Sequence, residues 1–285
     1  AFFTSFAKQT IEACRFSLGG NGFLRYTGLA DQVSDYAAAE IFEGINPIVL
    51  LQTARQLVKY TKAILTNGDE AKGLCSYLNE LRDLQKFVIP DDDQFFTYAN
   101  YVDLFQYRVF YLAKDLAGQV AYDMKKDRTT NLEMDKYQVD LIHIAEAHVQ
   151  YYVIRSFVEW LNKLRETKKY NKSIYDILDT LFSTYVMKMM VDEAADFTIN
   201  GLFKKSHFHE FKKRLFQNFD RIRPNAITIV DSFGIPDWLV ASPVGERDGN
   251  IYEKLFKRVT NNPGSRDIPP YYAKEMKDTL SKGLN

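Results

Sequence analysis

The sequence is short of the features that settle a protein's class most quickly. It has two cysteines, Cys14 and Cys75, in 285 residues. That is too few for a disulfide framework and points to a reducing compartment. Charge is balanced, 37 basic against 37 acidic residues, so the basic stripe of a nucleic-acid binder is missing and no nucleic-acid partner is expected. No apolar run approaches the roughly 20 residues of a membrane-spanning helix. No charged n-region with a cleavage site opens the given sequence, so these residues are not expected to be a signal peptide. In that setting the Asn171-Lys-Ser triplet reads as a turn, not a glycosylation acceptor. Period-2 alternation of useful length, internal repeats and low-complexity tracts are also lacking.

What is present is a helical chain, with 46% hydrophobic residues, enough for the core of one large or two modest domains. Apolar residues at Leu50, Leu51, Ala54, Leu57, Val58, Ile64 and Leu65 keep helical spacing, and Asn67-Gly68 supplies a stop. A second stripe runs Tyr98, Val102, Phe105, Val109, Leu112, Leu116 and Val120. A third takes in Val139, Ile142, Val149, Val153, Phe157, Trp160 and Leu164, and a fourth Ile174, Ile177, Leu178, Leu181 and Tyr185. "HEFKKRLFQNFDRI" is amphipathic, with Pro224 placed to start another helix and Gly234 beyond its end. The expected fold class is therefore all-α, helices packed in layers. The polar run "IPDDDQ", 89 to 94, reads as a connection or a helix N-terminus, and a soft boundary there divides the chain into 1–90 and 91–285. "AFFTSFAKQTIEACRFSLGG" has no initiator Met and opens in what reads as mid-helix, so further chain is expected ahead of Ala1.

Two short elements carry candidate chemistry. In "SLGGNGF", Ser17 to Phe23, glycines let backbone N–H groups approach a ligand closely and suit phosphate. The spacing is not the dinucleotide fingerprint and no strand precedes it; alone, such a run is more often a flexible turn. In "IFEGINPIVLLQTAR", Glu43 stands at a loop-to-helix junction among Ile41, Phe42 and Ile45. A carboxylate shielded by such neighbours has its pKa raised and becomes a usable base. The plainer reading is that Glu43 complements the positive N-terminal end of the following helix. Glu40, three residues earlier, is an equally acidic rival.

Together, "CRFSLGGNGF…IFEGINPIVLLQTARQLVK" closely resembles the C-terminal helical region of acyl-CoA oxidases, and more loosely that of acyl-CoA dehydrogenases. "VDLIHIAEAHVQYYV", "AITIVDSF" and "RDGNIYEKLF" extend the resemblance in order along essentially the whole chain. It implies the C-terminal helical bundle of that family in 1–90, followed in 91–285 by a second helical domain that dehydrogenases lack. It also implies a dimeric FAD enzyme that desaturates acyl-CoA to the trans-2-enoyl-CoA and passes the electrons to oxygen, giving hydrogen peroxide, in fatty-acid β-oxidation. Glu43 matches the base that removes the proton alpha to the thioester, its backbone N–H also meeting the developing enolate oxygen. Gly44 would leave room for the thioester. Gly19 and Gly20 match backbone approaching FAD, with Gly44 and Asn46 also beside the cofactor; no metal is implied. The partners so implied are an acyl-CoA substrate and a homodimeric or heterodimeric oxidase subunit.

The chain departs from the family pattern at Ile41, Ile45 and Pro47, where relatives carry a small hydroxylated residue, an acidic residue and threonine. Many relatives also end in the peroxisomal address Ser-Lys-Leu, where this chain reads "LSKGLN". Peroxisomal location therefore follows from the resemblance alone. These departures keep a second reading open, a non-catalytic paralogue that dimerises with and regulates an active oxidase. Among other residues, His207 and His209 in "SHFHE" are two apart and share no helix face, which argues against a metal site. His148 reads as a buried structural histidine, and Lys204 to Arg214 as a solvated face. Asp248, Asn250 and Tyr252 read as a turn that ties down the last helix.

Overall fold

The computed structural model describes residues 1–83, 89, 95–127 and 134–282, and among these every regular element is helical. The "IPDDDQ" run lies outside the described residues except for Ile89, as do the last three residues of "LSKGLN". The helices are α1 (Phe2–Ser17), α2 (Leu29–Tyr36), α3 (Asn46–Asn67), α4 (Tyr98–Asp127), α5 (Gln138–Glu166), α6 (Lys172–Asp192), α7 (Ala194–Ile199), α8 (Lys205–Ile222), α9 (Ala226–Asp231), α10 (Asp237–Val240), α11 (Ile251–Asn261) and α12 (Lys277–Lys282). They fall into two compact units. The larger comprises Ala1–Phe2 and Glu43–Ile229; the smaller comprises Phe3–Phe42 and Val230–Asn285.

In the larger unit, α5 packs against α3, α4 and α6, and α6 packs against α8. Helix α3 ends at Gly68, in the left-handed conformation (φ 77°) that a side chain would resist. Asn171 is more than a turn: its side-chain oxygen caps α6, accepting from the Ile174 N–H at 3.2 Å. The core is rich in aromatics, with Phe105, Phe197 and Phe211 almost entirely out of water. Burying each such ring contributes roughly 1.5–3 kcal/mol.

The third apolar stripe differs from its expected face. Val139 and Trp160 are exposed, and the buried residues of α5 are Leu141, Ile144, Ala145, Ala147, His148, Gln150, Tyr151, Ile154, Val158 and Leu161. With neighbours on several sides, α5 buries alanines and polar groups that an apolar count passes over.

A charged cluster joins α4, α5 and α7. The Arg108 guanidinium, 1% exposed, donates from Nε to Asp196 at 2.6 Å and from Nη1 to Gln150. Its Nη2 stands 2.9 Å from Glu193, at ion-pair distance without hydrogen-bond alignment. His143 Nε2 lies 2.9 Å from Asp196. A buried cation is tolerable only with such partners.

In the smaller unit, polar contacts do most of the joining. The Ser242 hydroxyl donates to the Thr27 carbonyl, and Arg258 Nη1 to the Tyr26 carbonyl at 3.2 Å. The turn before α11 is built by Asp248, whose carboxylate accepts from the Asn250 N–H at 3.0 Å and from Lys254 at 2.6 Å.

Candidate active site

Glu43 sits in the short loop between a 3₁₀ turn (Ala37–Glu40) and α3. Gly44 follows with φ 107°, a backbone conformation that favours glycine, and a Cβ there would stand 3.3 Å from Val49 Cγ2, which would have to give slightly. Ile45 is extended and leads into α3 without a side-chain cap, Asn46 is buried at the first turn, and Pro47 sits where a missing N–H costs nothing. The carboxylate therefore precedes the uncapped positive end of a 22-residue helix that has no acid in its first turn.

Glu43 is exposed in this chain and makes no hydrogen bond or ion pair among the described residues. The shelter expected from its neighbours is not supplied here. Ile45, Ile48 and Val49 in the larger unit are themselves 53%, 55% and 41% exposed, and Ile41 and Phe42 in the smaller unit are exposed too. Apolar side chains desolvate a charge only when they close over it.

The rival is distinguished by geometry. Glu40 is tied to Lys8, and that hydrogen bond holds its carboxyl below the usual range. Such a group is a poor base.

The glycine run splits into two roles. A Cβ at Gly19 or Gly20 would meet nothing within 4 Å, and Gly19 has φ 58°, so this backbone is open to close approach. Gly22, which the sequence did not single out, is the packed one: a Cβ there would collide with the Arg15 carbonyl. No local pattern separates these glycines, because the collision is with the preceding helix.

The other candidates are structural. His148 is 6% exposed, and its Nδ1 meets the Tyr77 hydroxyl at 2.8 Å; burial pushes its pKa down to about 4. His207 is buried and His209 exposed, on separate sides of α8. His143, Glu193 and Asp196 bring ligand-type atoms within 4.8 Å of one another, a grouping no sequence spacing revealed. The Arg108 guanidinium is already ion-paired with both carboxylates and supplies the positive charge between them. Helix α3 and α5 also wall a largely apolar cavity of about 630 Å³ beside Cys75, whose thiol pKa burial pushes up. It is thus a weak nucleophile.

An uncapped helix behind an aromatic-Glu-Gly loop, on an all-helical chain, sets the class as a helical domain bearing a candidate base. The family models agree on what that domain is: "Acyl-CoA oxidase" matches residues 97–281, and "Acyl-CoA oxidase, C-alpha1 domain" matches residues 1–58. The chain belongs to the acyl-CoA oxidase family. Peroxisomal acyl-coenzyme A oxidase 1 of Cavia porcellus is 30% identical, over 99% of this chain and 43% of the relative. The Homo sapiens protein of that name is 30% identical, over 98% and 42%. Arabidopsis thaliana acyl-CoA oxidase 1 superimposes with a TM-score of 0.87 at 25% identity, covering 99% of this chain and 42% of that one. Caenorhabditis elegans acyl-CoA oxidase-1, solved with FAD and ATP, gives 0.88 at 23% identity over 99% and 42% and supports the fold. The chain thus spans about two fifths of the length of these relatives.

Proposed function

We propose that this chain forms the C-terminal helical part of an FAD-dependent acyl-CoA oxidase, and that Glu43 is its catalytic base. The observation that carries the reading is the Glu43–Gly44 loop, placed ahead of an uncapped helix end within a chain of this family. The Glu43 carboxylate would take the proton alpha to the thioester carbonyl. By the family resemblance its backbone N–H would donate to that carbonyl oxygen as negative charge develops. By the family resemblance Gly44 would leave room for the thioester. Ile45, Ile48 and Val49 would exclude water once an acyl chain and the rest of the enzyme cover them, raising the basicity of Glu43.

FAD suits the residues present, because the open backbone at Gly19 and Gly20 admits phosphate oxygens with no side chain in the way. When bound, it supplies the acceptor that takes hydride from the beta carbon and delivers the electrons to oxygen, giving hydrogen peroxide. Asn46 and Gly44 would stand beside it. The relatives named as peroxisomal support a peroxisomal location and a role in fatty-acid β-oxidation. The uncovered hydrophobic side chains of the smaller unit favour a dimer with a second oxidase subunit.

The test uses the complete protein with Glu43→Gln, assayed for peroxide release from acyl-CoA. A loss of at least about a thousandfold with flavin still bound is expected; retained turnover would remove Glu43 from the chemistry. The 285-residue chain alone should show no turnover. A second reading, a regulatory paralogue of an active oxidase, is favoured by Ile41, Ile45 and Pro47. Its signature would be a complete protein that never binds flavin yet still dimerises with an active subunit.

A further inference from the structure

The cavity between α3 and α5 takes no part in the chemistry above. It lies in the larger unit, further along α3 than the Glu43 loop, and has a volume of about 630 Å³. Ligand cavities commonly fall in the range of about 300–1,000 Å³. Besides the α3 wall, it is lined by Leu74 and Cys75 of the 3₁₀ segment Gly73–Asp83 and by His148, Val149 and Tyr152 of α5. Among the described residues no lysine, arginine, aspartate or glutamate lines it. Leu74 is 69% exposed, and Val149 and Tyr152 are partly exposed, so this hydrocarbon is not already spent on the core. The Tyr152 hydroxyl donates to the Leu74 carbonyl, which ties the 3₁₀ segment to α5.

His148 is the one buried side chain of the lining, and its polar atoms can be assigned. Burial lowers its pKa to about 4, so the imidazole is neutral near pH 7. Its Nδ1 lies 2.8 Å from the hydroxyl of Tyr77, whose own pKa burial pushes up, so that hydroxyl keeps its proton. The Tyr77 hydroxyl makes no other hydrogen bond among the described residues; it therefore donates, and Nδ1 accepts. A neutral imidazole that accepts at Nδ1 carries its hydrogen on Nε2. Nε2 makes no hydrogen bond among the described residues and is not sealed off by them either, so its N–H opens onto the cavity. The cavity thus combines bare hydrocarbon with one neutral donor and no charge.

We propose that this cavity binds a small neutral ketone, its carbonyl oxygen accepting from His148 Nε2 and its hydrocarbon chain lying against Leu74, Val149 and Tyr152. A ketone meets the donor and brings no N–H or O–H that would need a partner of its own. A carboxylate would also accept, but it would lose its water with no cation in the lining to replace it. This site is independent of Glu43 and of the oxidase reading.

The probe is methyl pentyl ketone, titrated into the 285-residue chain and followed by calorimetry and by long-range proton–nitrogen NMR of the histidine rings. Saturable binding is expected below about 10 mM, with hexanoate, the isosteric anion, and acetone, which lacks the chain, each at least about tenfold weaker. The His148 ring should show hydrogen on Nε2 and none on Nδ1, and its Nε2 signals should move on titration while those of the exposed His209 stay still. Leu74→Asp should weaken the ketone about tenfold. Because Leu74 is exposed, that change should leave the thermal midpoint unchanged. Leu65→Asp, at an exposed leucine of α3 outside this lining, should bind like the parent. No binding up to about 10 mM, hydrogen on Nδ1 in place of Nε2, hexanoate binding as well as the ketone, or equal affinity for parent and Leu74→Asp would each overturn the proposal.

Discussion

The two units handle the same kind of side chain in opposite ways. In the larger, Phe105, Phe197 and Phe211 are buried, and the buried guanidinium of Arg108 is matched by carboxylates. In the smaller, Phe16, Phe23, Phe233 and Trp238 stay in water, Trp238 at 82% exposure, and none of the described large hydrophobic side chains is buried. The difference teaches where stability resides. The larger unit carries a hydrophobic core, whereas the smaller is joined through backbone-directed bonds from Ser242 and Arg258. Large exposed hydrophobic patches ordinarily mark surfaces that are covered by something else. The exposed residues around Glu43 share this character, which is why its carboxylate meets water in this chain.

The sharpest break of the comparison is Arg108→Met. It leaves Glu193 and Asp196 facing each other without their cation, and should cost about 3–5 kcal/mol in a denaturant titration. A loss under about 1 kcal/mol would mean the cluster is better solvated than its burial implies.

Paired substitutions sharpen it next. Phe105→Ala should destabilise the chain by roughly 3–5 kcal/mol, while Trp238→Ala should stay within about 0.5 kcal/mol. Repeated in the complete protein, Trp238→Ala should become costly if other parts of the protein cover that surface. Equal small effects in both settings would argue that the surface stays bare.

The pH dependence comes third. His148 is held near pKa 4 by burial, below its ordinary 6.5, so its contribution is intact above 6.5 and lost as pH falls toward 4. His148→Gln should remove roughly 3 kcal/mol of that acid-induced loss between those limits. His143 works in the opposite sense. Its hydrogen bond to Asp196 raises its pKa, so its contribution is present below 6.5 and lost as pH rises through the shifted value. A His148→Gln chain with an unchanged acid limb would assign the limb to other groups. Smallest is Asn171→Ala, which removes the α6 cap and should lower stability by about 1 kcal/mol, read from the shift in denaturant midpoint.

Much of this was legible in the residue order. Helix α3 was readable from its apolar spacing and Gly68 stop, and α4, α5 and α6 from stripes of three and four, since helix periodicity is a local property. The buried side of α5 was not legible, because burial on several sides erases the contrast between faces. The site divided in the same way. The aromatic-Glu-Gly motif and the open glycines could be named from neighbours in sequence. The Glu40 to Lys8 tie spans 32 residues, and the Arg108 to Asp196 contact spans 88.

The sequence by itself determined the helices, their stops and the position of Glu43 at a helix entrance, because hydrogen bonds four residues apart and the steric limits of glycine and proline act locally. Only the tertiary structure decided that Glu40 is ion-paired with Lys8, that Gly22 is packed while Gly19 and Gly20 are open, and that Arg108 closes a carboxylate pair. Those outcomes depend on which distant atoms meet and how far they exclude water, and that is fixed when helices pack.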